Sequence, residues 1–453
     1  MEKLLIKNAK AIISCDNNDS VYSEGTNIYI ENGVIKNIGS ECFEADRVID
    51  ATDMLIYPGL VNTHHHLYQV FTRNLPQVQN MELFPWLLTL YEIWKNLDEK
   101  TIKYSSLVGI GELAKNGCTT VFDHHYVFPN GIGNNLIDVQ FKAAEDIGVR
   151  MHSSRGSMSL SKKDGGLPPD TVVQTVDEIL ADSERLIKQY HDSKPFSMRQ
   201  MVLAPCSPFS VTGELMSKSA VLARQYGVRL HTHLCETIDE ENFTLEKFGM
   251  RPLEYMSSLG WIGPDVWYAH GIHFNDEELD LLARTKTGVA HCPVSNMKLS
   301  SGIARVSEMI KKGIPVGLAV DGSASNDGSN LLEEIRVGFL LQRLKYSNES
   351  ASGYDILKIA TRGGAQILGR DDIGQLSVGK AADLFFIDSN RMELVGTHSD
   401  YKSILGTVGI KESVDLTMVG GKIIVENGKL VNVNEREITK AANVFVNELI
   451  SKA

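Results

Sequence analysis

A chain of 453 residues, 43% apolar and 23% charged, can bury one large core with an appendage and is too apolar to be disordered. Its formal charge of −12, with no Lys/Arg run, argues against a nucleic-acid partner, which needs clustered cations to displace counterions. No apolar run approaches the ~20 residues of a membrane span, the start lacks a signal-peptide core, and the six cysteines show no Cys-x-x-Cys spacing, so a cytoplasmic protein with reduced thiols is expected.

Residues 3 to about 50 alternate in the manner of exposed strands, most clearly from Asn27 to Ile35. Asn32-Gly33 between two such runs predicts a type I′ hairpin, and Asn427-Gly428, preceded by a turn at Gly420-Gly421, repeats the device near the other end. The two termini are therefore expected to build one small β-sandwich domain, residues 1–56 and 371–453, with a terminal helix from Glu435 to Ser451.

Between them, residues 57–370 alternate short apolar runs with helical patterns, the mark of βα units. Runs centred on Leu55–Asn62, Thr119–His124, Val149–Ser154, Met201–Cys206, Val228–His233, Val266–His270, Thr287–His291 and Pro315–Asp321 predict eight strands. Eight repeats point to an α/β fold, a (β/α)8 TIM barrel, whose chemistry sits at the C-terminal ends of its strands. The long excursion carrying Phe84, Trp86, Leu87, Leu90, Tyr91 and Trp94 reads first as helix core. It could also roof the site or meet a second subunit. Gly131–Asn135 and Lys162–Pro169 read as loops of the kind that move over active sites.

The first strand, Met54 to Val61, leads into His64-His65-His66, and period two puts His64 and His66 on one face. Two imidazoles on one face can share a metal ion, and a catalytic site adds further protein ligands while leaving a position for water. Strand five ends His231-Thr232-His233-Leu234-Cys235-Glu236, with His233 nearer the mouth and assigned to the metal. Glu236, three residues on, can exchange a proton with water and substrate without ligating the ion. His270 ends strand six, and Asp321 ends a run that is otherwise apolar, a costly place for a carboxylate unless a charge compensates it.

This ordered set, His-x-His, His-x-x-Glu, His and Asp, resembles the amidohydrolase superfamily over essentially the whole chain. Pro58–His64, Asp321–Asn326 and the closing Gly374-to-Leu384 segment look like the branch of guanine, triazine and S-adenosylhomocysteine deaminases. The resemblance implies His64, His66, His233 and Asp321 as metal ligands, Glu236 as proton shuttle, and His270 and Asp321 as further catalytic groups. Binuclear members carry a carboxylated lysine at the end of strand four, whereas Val202–Phe209 has none, so one divalent ion is implied. Zinc is the first choice, and the same donors accept iron or manganese.

Ser154–Ser161 with Asp164–Pro169, and Ala204–Ser210, look like 8-oxoguanine deaminases, and Gln69 fits the same comparison. Gln69, Arg155 and Cys206 are the expected substrate-binding residues. The expected partner is a small heterocycle, with 8-oxoguanine deaminated to urate as the leading reaction. Guanine, isocytosine or a hydroxytriazine are alternatives, as is a non-catalytic metal- or purine-binding protein. A homo-oligomer is a prior from symmetry, helped by the aromatic excursion.

Overall fold

The computed structural model describes residues 2–452. Eight parallel strands, Leu60–Asn62, Cys118–Asp123, Arg150–Ser157, Arg199–Pro205, Arg229–Leu234, Val266–His270, Gly288–His291 and Val316–Leu318, pair in chain order. The gap between last and first is bridged by Thr63 N–H to the Leu318 carbonyl (3.2 Å) and Asp321 N–H to the His64 carbonyl (3.1 Å). Val61, Phe122, Val202, Trp267, Ala290 and Ala319 fill the lumen. With the interior packed, chemistry is confined to the rim, where the strands deliver their last side chains.

The sandwich has one sheet from the N-terminal segment alone, in the order Val34–Gly39, Thr26–Glu31, Lys3–Ala9, Arg47–Asp50. A seven-stranded sheet mixes both ends of the chain and pairs Met54–Pro58 with Leu384–Asp388. Ile6, Ile28, Ile56, Leu384, Phe386 and Met418 are buried between them. The Asn32-Gly33 and Asn427-Gly428 turns both have positive φ at their two residues, as type I′ hairpins require.

Two expectations need correction. The first strand is not continuous from Met54 to Val61: Met54–Pro58 belongs to the sandwich and Leu60–Asn62 to the barrel, so the sandwich runs to Pro58 rather than ending at 56. Gly59 makes the change of sheet possible, since a Cβ there would lie 2.1 Å from Thr119 Oγ1. The last strand stops at Leu318 instead of reaching Asp321, because Val320 N–H turns to Asn62 Oδ1 (3.0 Å) and Asp321 adopts a left-handed φ of 62°.

Arg150, fully buried, joins the two halves by a two-pronged ion pair to Asp383 (2.6 and 2.9 Å). The helix Glu435–Ser451 lies on the helix Glu99–Lys115 through Tyr104 against Phe445 and Lys115 to Glu435. None of the six cysteines is bonded to another. Among the described residues, no helix is long and apolar enough to cross a membrane.

Candidate metal and active site

His64 and His66 follow the first barrel strand, and His233 lies in the fifth. Each directs its Nδ1 to an acceptor. His66 meets the His124 carbonyl at 2.7 Å, and His233 meets the Cys206 carbonyl at 2.6 Å. A carbonyl only accepts, so both Nδ1 atoms carry the hydrogen and both Nε2 atoms present lone pairs. His64 Nδ1 lies 2.8 Å from His231 Nε2, and His231 Nδ1 lies 2.9 Å from the Trp267 carbonyl. The Trp267 carbonyl fixes the hydrogen on His231 Nδ1, which makes His231 Nε2 an acceptor and leaves His64 Nε2 bare as well. His65 points away, to Ser329 Oγ at 3.0 Å.

These bare nitrogens converge. His66 Nε2 and His233 Nε2 are 3.1 Å apart, and Asp321 Oδ1 is 3.3 Å from both His64 Nε2 and His66 Nε2. Lone pairs so close repel unless a proton or a cation lies between them, and burial lowers the proton affinity of all three imidazoles. His64 Nε2 is buried with no hydrogen-bond partner among the described residues. Three neutral imidazoles and one carboxylate are a donor set suited to zinc or a similar divalent ion. The residues therefore fit a metal ion.

The second oxygen of Asp321 is held by Ser295 Oγ (2.5 Å) and by Ser325 Oγ (3.4 Å). Burial alone would raise the Asp321 carboxyl, but the histidines beside it hold it well below the usual range. Glu236 Oε2 is 3.4 Å from His270 Nε2, which is 4.0 Å from Asp321 Oδ2. Asn296 Oδ1 accepts from His270 Nδ1 (2.9 Å) and so aims Nε2 at the two carboxylates. Burial pushes Glu236 up to about 7, against the pull of His270. Burial lowers His270, yet Glu236 and Asp321 outweigh it and raise it overall.

Above these groups lies a small cavity lined by Gln69, Tyr126, Cys206 and Phe209, with Leu83, Trp86 and Leu87 of the helix Leu83–Trp94 over it. The aromatic excursion thus forms a roof as well as a core. It leaves about 30 Å³ of space beside the reacting groups.

A family model described as the amidohydrolase family matches residues 55–424. The chain is 49% identical to an 8-oxoguanine deaminase of Pseudomonas aeruginosa, covering 84% of each protein. It is 42% identical to a hydroxydechloroatrazine ethylaminohydrolase of a Pseudomonas species, covering 87% of this chain and 83% of that one. The chain belongs to the amidohydrolase family. Its fold is likewise similar to a zinc-complexed atrazine chlorohydrolase from Arthrobacter aurescens, with a TM-score of 0.94 at 32% identity over 98% of this chain and 100% of that chain.

Within this amidohydrolase, His64, His66, His233, Glu236, His270 and Asp321 come together at one rim, and Gln69 and Cys206 line the cavity beside them. Gln69 Oε1 is buried without a partner among the described residues, which leaves an acceptor facing Gly322. Burial pushes the Cys206 thiol up to about 12, which keeps it neutral beside the cavity. Arg155 must be corrected: it does not reach the cavity. Its guanidinium faces the helix layer, bonded to Asp182 (2.6 Å) and Gln174 (2.8 Å) and stacked 3.7 Å over the Phe128 ring. Alternation along Arg150–Ser157 sends Ser153 and Arg155 outward to helical partners, Gln140 and Asp182.

Sequence reasoning passed over His124, Tyr126, Ser295 and Asn296. His124 stands with His64, His66 and His233 in a group that could hold a metal ion, stacked on His233 at 4.8 Å, with Nε2 on the Ala204 carbonyl (2.7 Å). Its position just past the second strand was the available signal. Ser295 and Asn296 sit on a short helix after strand seven and carried no motif of their own.

Proposed function

We propose that the chain is a hydrolytic deaminase of a small purine-like heterocycle, with 8-oxoguanine converted to urate and ammonia as the leading reaction. The observation that carries this reading is the arrangement of bare imidazole nitrogens and Asp321 Oδ1 beside a Glu236–His270 pair, next to a cavity lined by Gln69, Cys206 and Phe209. The relative named 8-oxoguanine deaminase supports the choice of substrate. We assign one divalent ion, zinc first, to His64, His66, His233 and Asp321, and place the protein in the cytoplasm.

When bound, such an ion supplies Lewis acidity, which makes water a nucleophile near neutral pH. Asp321 Oδ2 and His270 Nε2 take the proton that water gives up as its oxygen attacks the carbon bearing the amine. Glu236, poised between protonated and ionised by burial, delivers a proton to the adjacent ring nitrogen. The proton held by Asp321 and His270 passes to the amine, the C–N bond breaks to release ammonia, and the new hydroxyl returns a proton to Glu236 as it becomes the carbonyl. Gln69 offers its amide to the polar edge of the ring, and Cys206 and Phe209 bound its face. The helix Leu83–Trp94 over the site narrows the access of bulk water to these protons.

Glu236→Gln should lower turnover by about 10²–10⁴-fold, to a small but measurable residual rate, while the protein still binds one ion per chain, read by ammonia release and metal analysis. Undiminished turnover in that variant would remove Glu236 from the mechanism. A hydroxytriazine losing an alkylamine is the second reading, favoured by the 42% identity to the ethylaminohydrolase. A non-catalytic binder would hold substrate without releasing ammonia.

A further inference from the structure

We infer that Glu240 is a positioning residue that fixes Glu236 in its reacting place, an inference that rests on the proton-shuttle role proposed above. Glu240 is fully buried in the first turn of the helix Ile238–Phe248. Its two carboxylate oxygens take two consecutive backbone donors: Oε1 accepts from Cys235 N–H and Oε2 from Glu236 N–H, both at 3.1 Å. Only a carboxylate offers two acceptors on so short a fork.

The turn it holds is unusual. Cys235 has a left-handed φ of 54°, a conformation that a side chain with a Cβ rarely adopts without outside support. That support comes from both sides. Beneath, Glu240 takes the two N–H groups; alongside, the Cys235 carbonyl accepts from Ile272 (2.8 Å) and His273 (3.0 Å), and the Leu234 carbonyl accepts from Gly271 (3.1 Å). His270 and Gly271 are also left-handed, at φ 73° and 57°. The turn that presents Glu236 and the turn that presents His270 are thus laced together, with the Glu240 carboxylate under them.

A role in the helix alone does not explain Glu240. Thr237 already caps that helix, its side chain accepting from Glu240 N–H. Nor is Glu240 half of an ion pair among the described residues: the neighbouring cation, Arg251, is committed to Glu241 and Glu278. A buried carboxylate without a cation is unfavourable, and its compensation here is the pair of N–H groups that set the Glu236 backbone.

The test compares Glu240→Gln, Glu236→Gln and the double variant in metal-replete protein. Glutamine keeps the shape but turns an NH2 toward one of the two N–H donors. Glu240→Gln should lower kcat by at least about tenfold with KM within about threefold, and with bound zinc and thermal midpoint close to wild type. In the Glu236→Gln background it should change the residual rate by less than about twofold, because it acts through Glu236. Glu240→Asp, which keeps both oxygens on a shorter arm, should recover part of the loss. A wild-type kcat in Glu240→Gln, an equal second loss in the Glu236→Gln background, or no recovery with Asp would overturn the inference. Full turnover by Glu236→Gln alone would instead overturn the shuttle role, so the two failures are separable.

Discussion

His64, His66 and His233 each commit Nδ1 to a fixed acceptor and leave Nε2 bare at a shared point. Their spacing made them legible, because His-x-His after an apolar run and His-x-x-Glu after another are patterns with a chemical reason. What sets their tautomers was not legible, since backbone carbonyls and the remote Trp267 supply it. Arg155 shows the opposite failure. The segment around it looked like a recognition loop, but strand alternation decides which way a side chain points, and the partner Asp182 lies 27 residues on. Arg155→Ala should therefore act on stability. Removing one member of a buried ion pair costs about 3–5 kcal/mol, moderated here by Arg185, which also binds Asp182. Chemical denaturation should show the loss, and the ratio of kcat/KM for two substrates should stay within about twofold of wild type. A large change in that ratio would restore Arg155 to the pocket.

Among the elements, the end of the second strand does more than its sequence announces. Asp123 is fully buried and clasps two neighbours, accepting from Leu67 N–H (2.6 Å) and from Gln140 Nε2 (2.7 Å). It thereby ties the turn Leu67–Thr72, which carries Gln69, to the helix Leu136–Ile147. Burial pushes Asp123 up to about 7 despite those two bonds. Between pH about 4 and about 7 the folded state then keeps a proton that the unfolded state has lost. Its contribution is full at low pH, falls by about 1.4 kcal/mol per pH unit through that window, and is flat above it. The stability advantage of wild type over Asp123→Asn should accordingly shrink as pH rises from 5 to 7, measured by denaturation at each pH. A gap that is constant with pH would mean that Asp123 does not titrate there. The eight strands themselves were legible from apolar runs. Their ends were not, because Gly59 and the left-handed Asp321 break strands for reasons of packing and site geometry.

Across the whole molecule, the sequence reading recovers the architecture because both of its periods are strong: βα repeats in the middle and Asn-Gly hairpins at both ends. It does not reveal that the N-terminal segment builds a sheet of its own while also lending strands to a second. That depends on the parallel pairing of Lys3–Ala9 with Arg47–Asp50, a long-range choice that local pattern does not encode. Arg150 and Asp383, 233 residues apart, join barrel to sandwich for the same reason unseen. The net effect of this scaffold is to fix six side chains from four separate strand ends around one point under one roof. The central claim is that this point deaminates a purine-like base. The most direct measurement is ammonia release by zinc-replete protein given 8-oxoguanine, guanine, isocytosine and a hydroxytriazine side by side. Release from 8-oxoguanine ahead of the others is the expected result; binding of these rings with no ammonia from any of them would contradict the account.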